Sequence, residues 1–364
     1  MKLGVAAAVV DGIFVPGDVE VEDGRIAGVG LAAPGGSGTA VPGFVDLQVN
    51  GFGGADFLDA DADGYRRAGA ALLETGVTSY LPTLITSPEE QLLAAMRAIP
   101  VGDGERPRVL GVHLEGPFLS PARLGTHMAS SRRDPDLALL ERLLDGGPVR
   151  LMTLAPELPG ADALIGLLIA RGVKVSLGHS DATAPQANAA FDRGVGTVTH
   201  LFNAMRPFRH RDPGIAGAAL SRDDVIVQVI VDGIHLAPET AQVIWRAAAG
   251  RVALVTDAIT AAGLSDGSFS FGDLDVSVHD GTVRGPDGVL AGSVLTMIEA
   301  VRNLHALGVP LADAVGAATH VPARVLGLTE AGRLAPGLAA DVVVLDDRLE
   351  IERVLVGGDV LVAV

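Results

Sequence analysis

"PGFVDLQVNGFGG", residues 42–54, holds an apolar run over residues 44–50 that reads as a buried strand and stops at Gly51. Gln48 and Asn50 lie two apart, so both side chains leave that strand on one face. Two neutral amides at a strand end have an ordinary use, hydrogen-bonding the turn that follows. What sets the stretch apart is its company. Seven more short Val/Leu-rich runs follow, at 78–84, 108–115, 149–155, 173–178, 197–200, 225–231 and 252–257. Ala/Leu-rich helical patterns such as "GYRRAGAALLETG" and "DALIGLLIARG" separate most of them. Eight repeated strand–helix units predict an α/β fold, a (β/α)8 barrel.

Outward from this core, both ends of the chain change character. "VEVEDGRIAGVG" alternates about Asp23-Gly24, a hairpin signal, and "ADVVVLDDRLEIERVLVGGDVLVAV" is strands and turns. Neither end is long enough to bury a face alone, so the two are expected to pair into one small β domain. The resulting division is 1–43 and 333–364 for that domain and 44–332 for the barrel. "FSFGDLDVSVHDGTVRGPDG" reads as a β-hairpin inserted after the eighth strand, with two helices behind it.

Bulk properties exclude several classes. The 364 residues suffice for a large core, and no run of 18 apolar residues suggests a membrane span. The opening "MKLGVAAAVVDGIFVP" is followed at once by acidic residues and a hairpin signal, so it reads as a strand and not a signal peptide. A formal net charge of −17 disfavours nucleic acid and anionic membrane surfaces. With no Cys, a transition metal would have to use His and carboxylates.

In such a barrel chemistry sits at the carboxyl ends of the strands, and here nearly every strand ends in polar residues. The third ends in "VHLEGP" (His113, Glu115), the fifth in "SLGHSDAT" (His179) and the sixth in "VTHLFNAM" (His200, Asn203). The seventh leads into "VDGIHL" (Asp232, His235) and the eighth into "LVTDA" (Asp257). A lone His or Asp at such a place is ordinarily structural or a helix cap. Together, Glu115, His179 and His200 match a metal set of two imidazoles and one carboxylate with one position open. His113 shares a strand face with Glu115 and is either a support for the ligands or barrel packing. Asp257, facing that set from the eighth strand, is placed to take a proton from a water and return it to a leaving group. "MRPFRHRDPG" gathers Arg206, Arg209, His210 and Arg211 in an otherwise acidic chain. At the barrel mouth, that points to anion binding, and Arg forks suit phosphate.

The set "PGFVDLQVNGFGG", "GVHLEGPFLS", "GTHM", "TLAPE", "GHSDAT", "THLFNAM", "RDPGIAGA", "VDGIHL", "LVTDA", "LAGS" and "GLAADVVVLD" resembles the N-acetylglucosamine-6-phosphate deacetylase family of the amidohydrolase superfamily. The resemblance implies a distorted (β/α)8 TIM barrel with a small β-sandwich built from both chain ends. It implies one divalent metal per subunit, zinc, on Glu115, His179 and His200, with Asp257 as catalytic acid and base. It gives His235 the task of binding substrate and polarising the acetyl carbonyl, and Asn203 and Ala204 contacts to the sugar. Thr126 and His127 match a further substrate-contacting pair, and Leu290, Ala291 and Gly292 a loop near the ligand. Arg211 matches a phosphate-binding Arg expected to reach the neighbouring subunit's site, which implies a homodimer. The implied protein is cytoplasmic and acts on a phosphorylated amino sugar. Where much of the superfamily has His-x-His for a second metal, this chain has Gln48 and Asn50, poor ligands beside imidazole. A galactosamine epimer, another amidohydrolase reaction such as cyclic-amide hydrolysis, and a non-enzymatic barrel are the alternatives.

Overall fold

The structure, a computed structural model, describes residues 1–32, 36–100, 107–272 and 274–363. Eight parallel strands run in chain order: Phe44–Val49, Val77–Ile85, Val112–Glu115, Val149–Leu154, Lys174–Leu177, Thr197–Val198, Ile226–Val229 and Val252–Leu254. Each pairs in parallel with the next. The eighth returns to the first just beyond its own end, where Val49 bridges Ala258 in parallel and Asp257 N donates to Gln48 O at 2.9 Å. All eight expected runs are therefore strands of one nearly closed barrel. The third is interrupted after Arg108–Val109, where Gly111 takes φ +128°. The sixth is only Thr197–Val198 because the chain turns left-handed at His200.

Helices cover the outside. Ala62–Glu74 starts where the Asp61 side chain accepts from Gly64 N, and its apolar face, with Tyr65, Ala68 and Leu72, is buried. Ala161–Ala170 is apolar nearly all round and buries Leu164, Ile165 and Leu168. Among the described residues no helix is long and apolar enough to cross a membrane.

The two chain ends meet as expected. Strands Ile13–Pro16, Ala7–Val10, Thr39–Pro42, Val342–Leu345, Ile351–Val356 and Asp359–Ala363 form one sheet in that order. The hairpin of Asp18–Glu22 and Arg25–Leu31 accompanies it, turning through Asp23 and Gly24, both at positive φ as a two-residue hairpin turn requires. Leu3, Val5, Val19, Val21, Ile26, Leu334, Val342 and Val344 make a core separate from that of the barrel. The insertion after the eighth strand is larger than a hairpin: Gly267–Phe271, Leu274–His279 and Thr282–Arg284 form three antiparallel strands, and Asp273 lies outside the described residues. Behind it, Met297–Ala306 is the first expected helix. The second is broken at Thr319 into Leu311–Ala318 and His320–Val325.

Candidate active site

The carboxyl ends of strands one, three, five, six and eight deliver Gln48, Glu115, His179, His200 and Asp257 to one point. Three of the five sit in the left-handed region, with φ of 47° at His179, 28° at His200 and 52° at Asp257. Non-glycine residues reach that region at a cost, and such strain gathers at functional sites. It is held by the surrounding backbone: Asp257 O accepts from Ser293 N at 2.9 Å, next to Gly292 at φ +65°. A Cβ on Gly292 would lie 2.9 Å from Asp257 O, so only glycine fits there.

Glu115 Oε1 lies 3.1 Å from His179 Nε2 and 2.9 Å from His200 Nε2, and the two ring nitrogens are 3.0 Å apart. Three buried donor atoms thus form one triangular face. A tetrahedral cation with bonds of about 2.0–2.2 Å needs ligand edges of roughly 3.3–3.6 Å, a few tenths of an ångström wider. The His179 ring is oriented for it. His179 Nδ1 donates to the Arg123 carbonyl at 3.0 Å, which leaves the Nε2 lone pair facing the triangle. Burial pushes Glu115 up, but the His179 and His200 rings beside its Oε1 outweigh it and hold the carboxyl well below its usual range. Burial pushes His200 down, and its hydrogen bond to Glu115 more than offsets that. The donor set fits a divalent transition metal.

Asp257 has the opposite character. Burial first, and the Glu115 charge second, push it up to about 6. Its Oδ1 accepts from Gln48 Nε2 at 3.0 Å and Asn50 Nδ2 at 2.7 Å, and Gln48 Nε2 also reaches Glu115 Oε1 at 3.2 Å. The two amides do not serve the turn backbone. They bridge the carboxylates, and their buried oxygens Gln48 Oε1 and Asn50 Oδ1 have no partner among the described residues. One layer below, Asp46 was not singled out from sequence. Its carboxylate accepts from Thr256 Oγ1 at 2.6 Å and Gln48 N at 3.2 Å, tying the ends of strands one and eight together. The signal was the same two-residue spacing, Asp46-x-Gln48-x-Asn50.

A cavity of about 330 Å³ opens over this cluster. Thr126, His127, Asn203, Ala204, His235, Leu290 and Gly292 line it, whereas the expected Ala291 is fully buried and does not. His127 Nδ1 accepts from Thr86 N at 3.3 Å, so its proton is on Nε2, 3.7 Å from Glu115 Oε2. Burial and the neighbouring His179 push His127 down to about 3, so the ring is neutral. His113 belongs to the barrel interior: its nitrogens meet Thr83 Oγ1 and Thr153 Oγ1, and it touches no donor of the triangle. From the inserted strands, Phe271 also reaches the cavity, a contact that spacing gave no means of seeing.

The Arg cluster divides. Arg206 is spent internally, on Asp212 Oδ2 at 2.8 Å and Asp181 Oδ2 at 2.9 Å. Arg209 and Asp212 exchange both backbone hydrogen bonds at 3.0 Å, which puts His210 and Arg211 at the tip of a tight turn. Both tip residues are exposed and neither lines the cavity, whose lining holds no Lys or Arg.

The amidohydrolase family model matches residues 39–361. The chain belongs to the amidohydrolase family. Within that family it is 41% identical over 339 residues to the N-acetylglucosamine-6-phosphate deacetylase of Mus musculus, spanning 88% of this chain and 82% of the relative. It is 37% identical over 324 residues to an N-acetylgalactosamine-6-phosphate deacetylase of Escherichia coli O157:H7, spanning 87% and 86%. Among solved structures, an Asp-to-Ala variant of the Mycobacterium smegmatis N-acetyl-D-glucosamine-6-phosphate deacetylase, in complex with N-acetyl-D-glucosamine 6-phosphate, superposes with a TM-score of 0.93. That match is 39% identical and covers 100% of this chain and 99% of that one. This amidohydrolase therefore shares its whole fold with that deacetylase.

Proposed function

We propose that this amidohydrolase cleaves the acetamide of N-acetyl-D-glucosamine 6-phosphate, giving acetate and D-glucosamine 6-phosphate in amino-sugar turnover. The observation that carries this is the triangle of Glu115, His179 and His200 faced across one cavity by a carboxylate, Asp257, that is not part of it. One divalent metal per chain, zinc, suits the one-carboxylate, two-imidazole set. When bound there, the metal polarises the amide carbonyl and makes a water more acidic. Asp257 takes the proton of the attacking water and delivers it to the departing amine nitrogen. A carboxyl held near about 6 is matched to both tasks near neutral pH. Gln48 and Asn50 hold Asp257 in place, and their unpartnered oxygens are acceptors for a ligand O–H. His235 donates to the acyl oxygen, and Asn203, Ala204, Thr126 and the loop at Leu290–Gly292 surround the sugar.

The phosphate is received by Arg211 of a second copy. Supporting this, no Lys or Arg lines the cavity, while Arg211 stands exposed on a pinned turn that does not enter it. The active species is thus a homodimer, acting in the cytoplasm, where charge retains sugar phosphates. The Escherichia coli relative makes the galactosamine epimer the second reading. Acetate release from the two epimeric 6-phosphates, measured beside metal content, tests both. Release from neither, by metal-loaded protein, overturns the deacetylase reading.

A further inference from the structure

Asp232 and His235 form a closed pair at the cavity wall. Asp232 Oδ1 accepts from Ile234 N and His235 N, both at 2.8 Å, and Oδ2 lies 2.7 Å from His235 Nδ1. The side chains are only 8% and 7% exposed. Burial pushes Asp232 up, but the His235 hydrogen bond and charge outweigh it, and the net direction is down. The carboxylate is therefore an acceptor only, and Nδ1 must carry hydrogen. His235 Nε2 has no partner among the described residues, and the ring faces the cavity.

This fixes what the ring can do. A neutral imidazole with its hydrogen on Nδ1 offers only a lone pair at Nε2, and a lone pair cannot donate to an acyl oxygen. We propose that Asp232 is a positioning residue that holds His235 doubly protonated, with Nδ1–H on Asp232 and Nε2–H free to donate to the acetyl oxygen. The inference rests on the deacetylase reading. As water adds, negative charge gathers on that oxygen and the Nε2–H bond strengthens. As the amine leaves, the charge returns to the carbonyl, and the ring keeps both protons. The groups facing the ring are Asp232 on its own loop, Asp257 and Glu115 across the cavity, and His127, His179 and His200 beside them. No Lys or Arg lines the cavity to oppose the ring's charge.

Asp232→Asn separates charge from geometry. Its single oxygen is claimed by the two backbone N–H groups, so the NH2 faces His235 Nδ1. The ring then accepts at Nδ1 and keeps a neutral Nε2–H. Losing the charge while keeping the donor should lower kcat about ten- to a hundredfold. KM should stay within about threefold, since the loss is at the transition state. In a His235→Asn background, Asp232→Asn should change kcat by less than about threefold, because the pair acts as a unit. Full additivity of the two substitutions would overturn the proposal. A measurement independent of the Asp232 variant's folding is the ring 15N spectrum of the metal-loaded protein near neutral pH, assigned by its loss in His235→Asn. Two protonated nitrogens support the proposal, and a bare Nε2 overturns it. Failure of the deacetylase reading would appear separately, as unmodified protein that releases no acetate.

Discussion

The two ends of the barrel both gather titratable side chains and use them in opposite ways. At the amino end a cavity of about 640 Å³, roughly twice the size of the one at the mouth, is lined by Lys174, Asp223, Asp224, Arg251 and Arg324. There three of the five are spent on structure: Arg251 donates to the carbonyls of Val225, Ala247 and Leu220, Arg324 to that of Gly250, and Asp224 pairs with Arg222. At the mouth, buried carboxylates and imidazoles face one another, and Glu115 and Asp257 are pushed in opposite directions. The left-handed non-glycine residues His179, His200, Phe202, Ala204 and Asp257 also gather there. Size is thus a poor guide to function. Convergent titratable groups on strained backbone are a better one.

The largest effect should come from Asp257→Asn. The amide keeps the shape and can still meet Gln48 and Asn50, but it cannot take a proton. Turnover should fall by at least ~10²–10⁴-fold with metal content unchanged. In the unmodified enzyme Asp257 must be ionised to act as base, so kcat/KM should decline as pH falls through about 6. Loaded metal brings positive charge and moves that limb lower, never higher. Near-normal kcat in Asp257→Asn would remove the residue from the mechanism and reduce the mouth to a metal site.

Arg211→Ala should weaken the phosphorylated substrate by roughly 2–5 kcal/mol while leaving unphosphorylated N-acetylglucosamine little changed. Equal losses on both sugars would return the turn to solvent. If the site is shared between copies, mixing Arg211→Ala with Asp257→Asn should restore activity in hybrid dimers, which assay of the mixture against each parent reads directly. Smaller still is the effect on metal load. Purified protein should carry one ion per chain, and replacing Gln48 and Asn50 together by His should raise capacity toward two, since imidazole is the better ligand. Two tightly held ions in the unmodified chain, with activity tracking the second, would break the one-metal reading.

How much of this was legible beforehand follows from what sequence spacing can express. The eight strands and the polar residues at their ends were legible because the two-residue period and the strand–helix alternation are local. Partners were not. That Gln48 joins Glu115 to Asp257 spans 67 and 209 residues, and spacing fixes only the face an amide leaves from. Arg206 looked like its neighbours in "MRPFRHRDPG", yet Asp181, from the turn after strand five, claims it. Asp46 looked like one more strand residue until closure brought Thr256 against it. His113 could be read two ways, and only the hydroxyls of Thr83 and Thr153 resolve it.

The smallest expected effect is the sharpest test of the contrast between the ends. Lys174→Ala removes an exposed charge with no ion pair among the described residues, and should change stability by no more than about 0.5 kcal/mol. Arg324→Ala forfeits the hydrogen bond to Gly250 O and should cost about 0.5–1.5 kcal/mol. Neither change reaches the mouth, because the strands between are packed with fully buried side chains such as Leu177, Val198 and Leu254. In both variants kcat/KM should therefore stay within about twofold while the melting temperature moves by a few degrees at most. A tenfold loss of kcat/KM with an unchanged melting temperature would place a functional group at the amino end. The larger cavity would then have to be read as a site, not as the gap left where strands five to eight begin.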